Sequence, residues 1–411
     1  MAKRLLLTLL IITFISILTG KRIYEQQLPT LEDVGFNDPQ VKTDADLQPL
    51  FEDFERFVEQ RIAEEGLPGA AIAIVKDSNV VYLNTFGLKE RHSYDSVNIH
   101  TAFRLASVSK GFAPVLTAML VEDGLLDWDD RVIDHMPDFR LYKERDTEAL
   151  TLRHVLSHTT GLPRHTYSNL LDDGVPYPEI RDRLKNVHPS HRVGTFYNYQ
   201  NVAYSLIADV MEAATGKSYQ QLLEERIFDP LDMRDASASY NELINHWNVA
   251  VPHMRSRRGY EPIAISPNYY SAGPAAGVNA SITDMTYWLR FLLGHGSDLL
   301  ADSLLAEIFN PYVDIPRHDK TLGNWRSVMD RAHYAMGWRV LECGADKLTY
   351  HGGYVNGYRS EVALFRKDGI GIAILTNAPS YFISDAMPTF VKMYQAYKRN
   401  QAEENPLLSL R

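Results

Sequence analysis

The chain has 411 residues and a single cysteine, Cys343, so no intramolecular disulfide can form, and neither a cysteine-rich zinc site nor a Cys-x-x-Cys redox pair can be built. Blocks of positive charge are scarce too. The formal net charge is −10, and the short cluster Arg255, Arg257, Arg258 beside Tyr260 reads as a solvated loop, which leaves nucleic acid without a footprint. Internal repeats and low-complexity segments are absent, which excludes arrays and solenoids. Long apolar runs are limited to Leu5–Leu18. Lys3 and Arg4 precede it in the layout of an export signal, and Lys21 and Arg22 follow it. With no Ala-x-Ala site after it, cleavage and a short N-terminal membrane anchor both remain open, and an exported, periplasmic or otherwise extracytoplasmic protein is expected.

What is present is the material of a globular domain: 45% apolar residues and 11% aromatic ones. Residues 1–20 form the export segment or anchor, and 21–43, polar and carrying Pro29, Gly35 and Pro39, read as a tether. Residues 44–400 make the domain, followed by a polar tail over 401–411. The domain opens with apolar residues at helical spacing from Leu47 to Ile62, stopped by Gly66 and Pro68. Two strands follow, Ala70–Val75 and Val80–Phe86, around Asp77-Ser78-Asn79. Helical periods dominate the middle, at Lys110–Glu122, Leu152–His158, Asn201–Ala214, Tyr219–Phe228 and Ile282–Leu293. Strand character returns in Tyr334–Leu341, Lys347–Tyr350, Tyr358–Phe365 and Ile370–Leu375, before a last helix at Ser384–Tyr397. Strands at both ends around a helical middle predict one sheet built from the N- and C-terminal parts, with flanking helices and an inserted, mainly helical region. Active sites favour such seams.

The chemistry starts at Ser107-Val108-Ser109-Lys110. A serine three residues before a lysine at a helix start places hydroxyl and amine on one face, and the amine can take the hydroxyl proton if burial or nearby charge lowers its pKa. Alone this pattern is also that of a helix-capping serine followed by a surface lysine. Two further elements change its weight: Tyr199-Gln200-Asn201 at a second loop-to-helix junction, and His351-Gly352-Gly353 at the end of a late strand, followed by Tyr354.

These three elements, in this order, resemble the class C β-lactamase and DD-peptidase superfamily, which also holds D-amino-acid amidases and esterases. Leu150–Pro163, Gly216–Tyr219, Ile227–Met233 and Gly277–Met285 are similar to the family as well, so the resemblance covers about Leu47–Tyr397. It implies an α+β, β-lactamase/transpeptidase-like fold with an antiparallel sheet formed from the N- and C-terminal parts, and a monomer-like serine hydrolase working through an acyl-enzyme without cofactor or metal. Ser107 would be the nucleophile, Lys110 would hold or accept its proton, and Tyr199, its pKa lowered by positive neighbours, would return the proton to the leaving group. Asn201 would orient Lys110 and the substrate amide, while the backbone N–H groups of Ser107 and Tyr354 would form an oxyanion hole. His351 and Gly353 complete the expected substrate-binding set. The partner is a small-molecule or peptide acyl donor: a D-amino-acid peptide, a small ester or a β-lactam. A penicillin-binding sensor that acylates with little turnover is the alternative.

The departure is at His351, where class C β-lactamases carry the lysine of a Lys-Thr-Gly triplet. A fixed charge and a hydroxyl are lost, since an unperturbed histidine is mostly neutral, and weak β-lactam hydrolysis at best is expected. His154 and His158 are four apart, the spacing of a helical metal pair, but Val155 stands where the metalloprotease motif needs glutamate. Asn279-Ala280-Ser281 is a chance glycosylation sequon. The loops Ser168–Tyr177 and Asn310–Arg331 are expected to shape specificity.

Overall fold

The computed structural model describes residues 38–295 and 299–404. The apolar run Leu5–Leu18 lies outside them, and among the described residues no helix is long and apolar enough to cross a membrane.

Helix α1 (Gln48–Glu65) buries Leu50, Phe51, Phe54 and Val58, and ends where Gly66 turns left-handed at φ 61° and donates to the carbonyls of Ala63 and Ile62. Glycine takes that conformation without a Cβ penalty, so it stops the helix. Strands β1 (Gly69–Lys76) and β2 (Asn79–Gly87) follow as a hairpin. The other strands of the main sheet come late: β3 (Val313–Asp314), β4 (Arg331–Tyr334), β5 (Arg339–Cys343), β6 (Asp346–Val355), β7 (Tyr358–Phe365) and β8 (Ile370–Thr376). The eight run in the order β2-β1-β8-β7-β6-β5-β4-β3, antiparallel throughout. The β1–β8 pairing, Ile72 opposite Ile374, joins the two ends of the chain.

Side chains on β1 alternate between two cores. Ala71, Ala73 and Val75 face the inserted helical region, with Ala373 and Leu375 of β8. Ala70, Ile72 and Ile74 face α1 and the last helix, α5 (Tyr381–Glu404), with Ile372 and Ile374. A strand buried on both faces needs an unbroken apolar run, and the β1 sequence has one. Between β2 and β3 lie α2 (Phe112–Glu122), α3 (Leu206–Thr215) and α4 (Ile282–Leu292); the Phe112 ring of α2 stacks on Trp288 of α4 at 4.0 Å.

Several boundaries differ from the sequence reading. The stretch read as one strand, Tyr334–Leu341, is two: Gly337, at φ 75°, turns the chain between β4 and β5, and its Cα sits where a Cβ would be 2.5 Å from the Lys110 carbonyl. His351 falls inside β6, not at its end. The helix Leu152–Leu156 stops before His158, which has φ 59°, so His154 and His158 do not share a helical face. The last helix continues to Glu404, into the stretch read as a tail. Asn279 is buried, with its amide donating to Ser237 Oγ at 2.9 Å.

Candidate active site

Ser107 lies in a tight 3-10 turn, Ala106–Gly111, ahead of α2, not on the first turn of the α-helix expected from the sequence. Ala106 is left-handed at φ 48°. A non-glycine residue there is strained, and the strain is held by the surroundings: Leu105 N–H donates to Val278 O at 2.9 Å, Ser360 Oγ donates to Leu105 O, and Ser109 Oγ accepts Val278 N–H at 3.0 Å. The turn leaves Ser107 partly accessible between buried neighbours.

Lys110 is fully buried. Its Nζ stands 2.8 Å from Asn201 Oδ1, 2.8 Å from the Ala275 carbonyl and 3.4 Å from Ser107 Oγ. Among the described residues it has no carboxylate partner. Burial, followed by the positive charge of Arg339, holds its pKa well below the ordinary lysine range. The amine also lies over the Tyr199 ring at 4.8 Å from its centroid and over that of Tyr204 at 5.4 Å. These contacts set the amine between Asn201, Ala275 and Ser107, within reach of the Ser107 hydroxyl.

Tyr199 is buried, and its hydroxyl hydrogen-bonds Ser107. Its pKa is raised by burial, although Arg339 and the Ser107 hydrogen bond pull the other way. This corrects the expectation of a lowered value: desolvation outweighs the positive neighbours, and the group is a phenol at neutral pH.

The pairing of β5 with β6 ends at Arg339 opposite Tyr350, while β6 stays paired to β7 as far as Val355. One edge of residues 351–355 is thereby released and lies against the Ser107 turn. Gly353 is needed at that contact, since a Cβ there would be 2.4 Å from Leu105 O and 2.9 Å from Ser107 N. Tyr354 is 50% exposed at the mouth, with its hydroxyl on Met254 Sδ at 3.8 Å.

A cavity of about 400 Å³ opens over Ser107; Tyr199, Asn201, Arg339, Gly353 and Tyr354 line it. Lys320–Trp325 form one wall, within the Asn310–Arg331 loop singled out above, whereas Ser168–Tyr177 stays off the lining. His351 is also off the lining: the ring is fully buried, Tyr334 OH lies 3.2 Å from Nε2, and Nδ1 is 3.0 Å from Gly352 O. Burial, Arg339 and Lys110 hold its pKa well below the ordinary histidine range.

Two cavity-lining groups went unread in the sequence. Arg339 is buried, its guanidinium 5.6 Å from the Tyr199 ring centroid, with no carboxylate paired to it among the described residues. Glu361 is buried on β7, accepting from Tyr350 OH at 3.0 Å and from Arg359 at 3.3 Å. No contiguous motif marks either residue, and only the Arg339–Tyr350 register and the β6–β7 ladder bring them to Ser107.

A β-lactamase-related site is what this fold and constellation define, and the β-lactamase family profile matches residues 54–390, so the chain belongs to that family. Among proteins it resembles is an unguisins hydrolase of Aspergillus campestris, 28% identical over 84% of this chain and 64% of that protein. Protein flp of Staphylococcus aureus is 23% identical over 80% of this chain and 63% of its own length. The chain thus spans less than two-thirds of the length of these curated relatives. The octameric penicillin-binding protein homologue of Pyrococcus abyssi superposes with a TM-score of 0.69, at 23% identity over 80% of this chain and 73% of that one, which shows the shared fold.

Proposed function

We propose that the protein is a serine hydrolase that cleaves an amide or ester through an acyl-enzyme on Ser107. The observation that carries this reading is the buried Lys110 amine, 3.4 Å from Ser107 Oγ, with its other two positions taken by Asn201 Oδ1 and Ala275 O. Neutral Lys110 takes the Ser107 proton as Oγ bonds to the substrate carbonyl carbon. The Tyr199 phenol, on the same hydroxyl, passes a proton to the departing nitrogen or oxygen. Water then attacks the acyl carbon by the reverse route and restores Ser107. The N–H groups of Ser107 and Tyr354 receive the developing oxyanion.

Arg339 supplies the fixed positive charge that His351 lacks. Its guanidinium lines the cavity with no salt-bridged carboxylate among the described residues, and that charge favours acyl donors that carry a carboxylate, as D-amino-acid peptides and β-lactams do. The hydrolase name of the Aspergillus relative supports turnover over a purely sensory role. Export is part of the proposal and rests on Lys3, Arg4 and the run Leu5–Leu18.

The test is intact-protein mass over time on wild type and Ser107→Ala, exposed separately to a fluorophosphonate and to a penicillin. Addition to wild type alone is expected, with the penicillin adduct decaying. Equal labelling of both proteins, or of neither, would sink the reading, and a penicillin adduct that never decays would replace the hydrolase with a sensor.

A further inference from the structure

Outside the residues given a chemical role stands His158, fully buried beneath the site. It grips the chain on both sides of Tyr199. Its backbone carbonyl accepts the N–H of Asn198 at 2.9 Å, and its ring Nδ1 accepts the N–H of Gln200 at 3.2 Å. One residue can present carbonyl and ring to the same strand of chain because its backbone is left-handed, at φ 59°. The His158 ring centroid is 4.3 Å from that of Tyr199. His165 N–H holds the Tyr199 carbonyl at 2.9 Å, so the 158–165 segment contacts residues 198, 199 and 200 in succession.

We propose that His158 is the positioning residue for Tyr199, acting through the hydrogen bonds to Asn198 and Gln200 and through the ring contact. The inference rests on the acyl-enzyme reading above, in which Tyr199 moves the proton.

The geometry also fixes the tautomer. A ring nitrogen that accepts a backbone N–H carries no proton, so the proton of the neutral imidazole is on Nε2. That atom is buried with no hydrogen-bond partner among the described residues, and the imidazole centroid lies 6.0, 5.1 and 4.7 Å from those of the Tyr197, Tyr204 and Tyr334 rings. Burial holds its pKa well below the ordinary histidine range and keeps the imidazole neutral. A protonated ring would donate from both nitrogens and lose Gln200. Releasing Gln200 would free the Tyr199 hydroxyl to shift relative to Ser107, and a displacement of about 1 Å at such a group can cost about 100-fold in rate.

Two substitutions separate the hydrogen bond from packing. In His158→Asn, Oδ1 takes the place of Nδ1, and asparagine tolerates the left-handed backbone; in His158→Gln the acceptor at that place is lost. The rate of fluorophosphonate addition to Ser107 is measured by mass for wild type and both variants, together with kcat and KM for a small ester and the melting temperature. The expected result is His158→Asn within about threefold of wild type and His158→Gln slowed about tenfold or more in labelling and in kcat, with KM little moved. Equal rates for the two variants, or a His158→Gln enzyme as fast as wild type, overturn the proposal. If wild type itself is not labelled, the acyl-enzyme reading has failed, a distinct outcome. Should His158→Gln not fold, ¹⁵N NMR of the wild-type imidazole decides: an unprotonated Nδ1 at neutral pH is expected, and a protonated one overturns the proposal.

Discussion

At one end of the main sheet, β1 and β8 pair Ala, Ile and Val across both faces; farther along the same sheet, β5, β6 and β7 bury Arg339, Tyr350, His351 and Glu361. Both regions are equally shielded from water, yet their energetics run in opposite directions. Burying the apolar pairs stabilises the fold by about 25 cal/mol per Å². Burying the charged groups costs free energy unless they find partners, and Arg339 forms no salt bridge with a carboxylate among the described residues. The comparison teaches that one sheet is divided between holding the fold together and holding groups at pKa values that solvent would not permit. Such conflicts concentrate where chemistry is done.

If that division is right, substitutions in the two regions separate activity from stability. The largest effect is expected for Lys110→Met, which keeps the stem and removes the amine: a loss of about 10³-fold or more in kcat, within the range of acid–base catalysis, with a melting temperature no lower than wild type. A loss of stability as large as the loss of activity would break the division. The complementary change, Ile374→Ala between β1 and β7, should cost about 2–5 kcal/mol in denaturant unfolding, while the folded fraction labels with fluorophosphonate at the wild-type rate.

Arg339→Gln is expected to be smaller and selective. Losing a charge-assisted contact of about 1.5–3 kcal/mol lowers kcat/KM for a carboxylate-bearing donor by about 10- to 100-fold. A neutral ester of the same acyl group should be spared, and equal losses on both would remove Arg339 from recognition. The smallest effect concerns Glu361, whose carboxyl is pushed by burial from an ordinary 4.5 up to about 7. Between those values the folded protein keeps a proton that the unfolded chain releases, so this group makes stability fall as pH rises through that window. Glu361→Gln should therefore melt higher than wild type at pH 8 and no higher at pH 4, which calorimetry at the two values would check.

Much of this was legible before any coordinates. Unbroken apolar runs, alternation and period-3.6 patterns placed β1, β2, β7, β8 and the long helices, and Gly66 marked the end of α1, because these elements follow from local burial and local backbone preference. The sequence also brought Ser107, Lys110, Tyr199 and Asn201 forward, since Ser-x-x-Lys and Tyr-x-Asn are contiguous motifs. What stayed illegible depends on contacts between distant segments. The β4–β5 turn at Gly337 is set by the Lys110 carbonyl, the 3-10 turn at Ser107 by Val278 and Ser360, and the end of the helix before His158 by its grip on Asn198 and Gln200.

By itself, then, the sequence marked most of the elements through local pattern, and its resemblance to the β-lactamase family implied the antiparallel α+β fold and the candidate reactive residues. Only the tertiary structure decided the protonation chemistry and the shape of the site. Lys110 is depressed and Tyr199 raised by desolvation, which exists only once both are buried. Arg339 reaches the cavity because the β5–β6 pairing ends at Tyr350 and leaves the guanidinium on the lining.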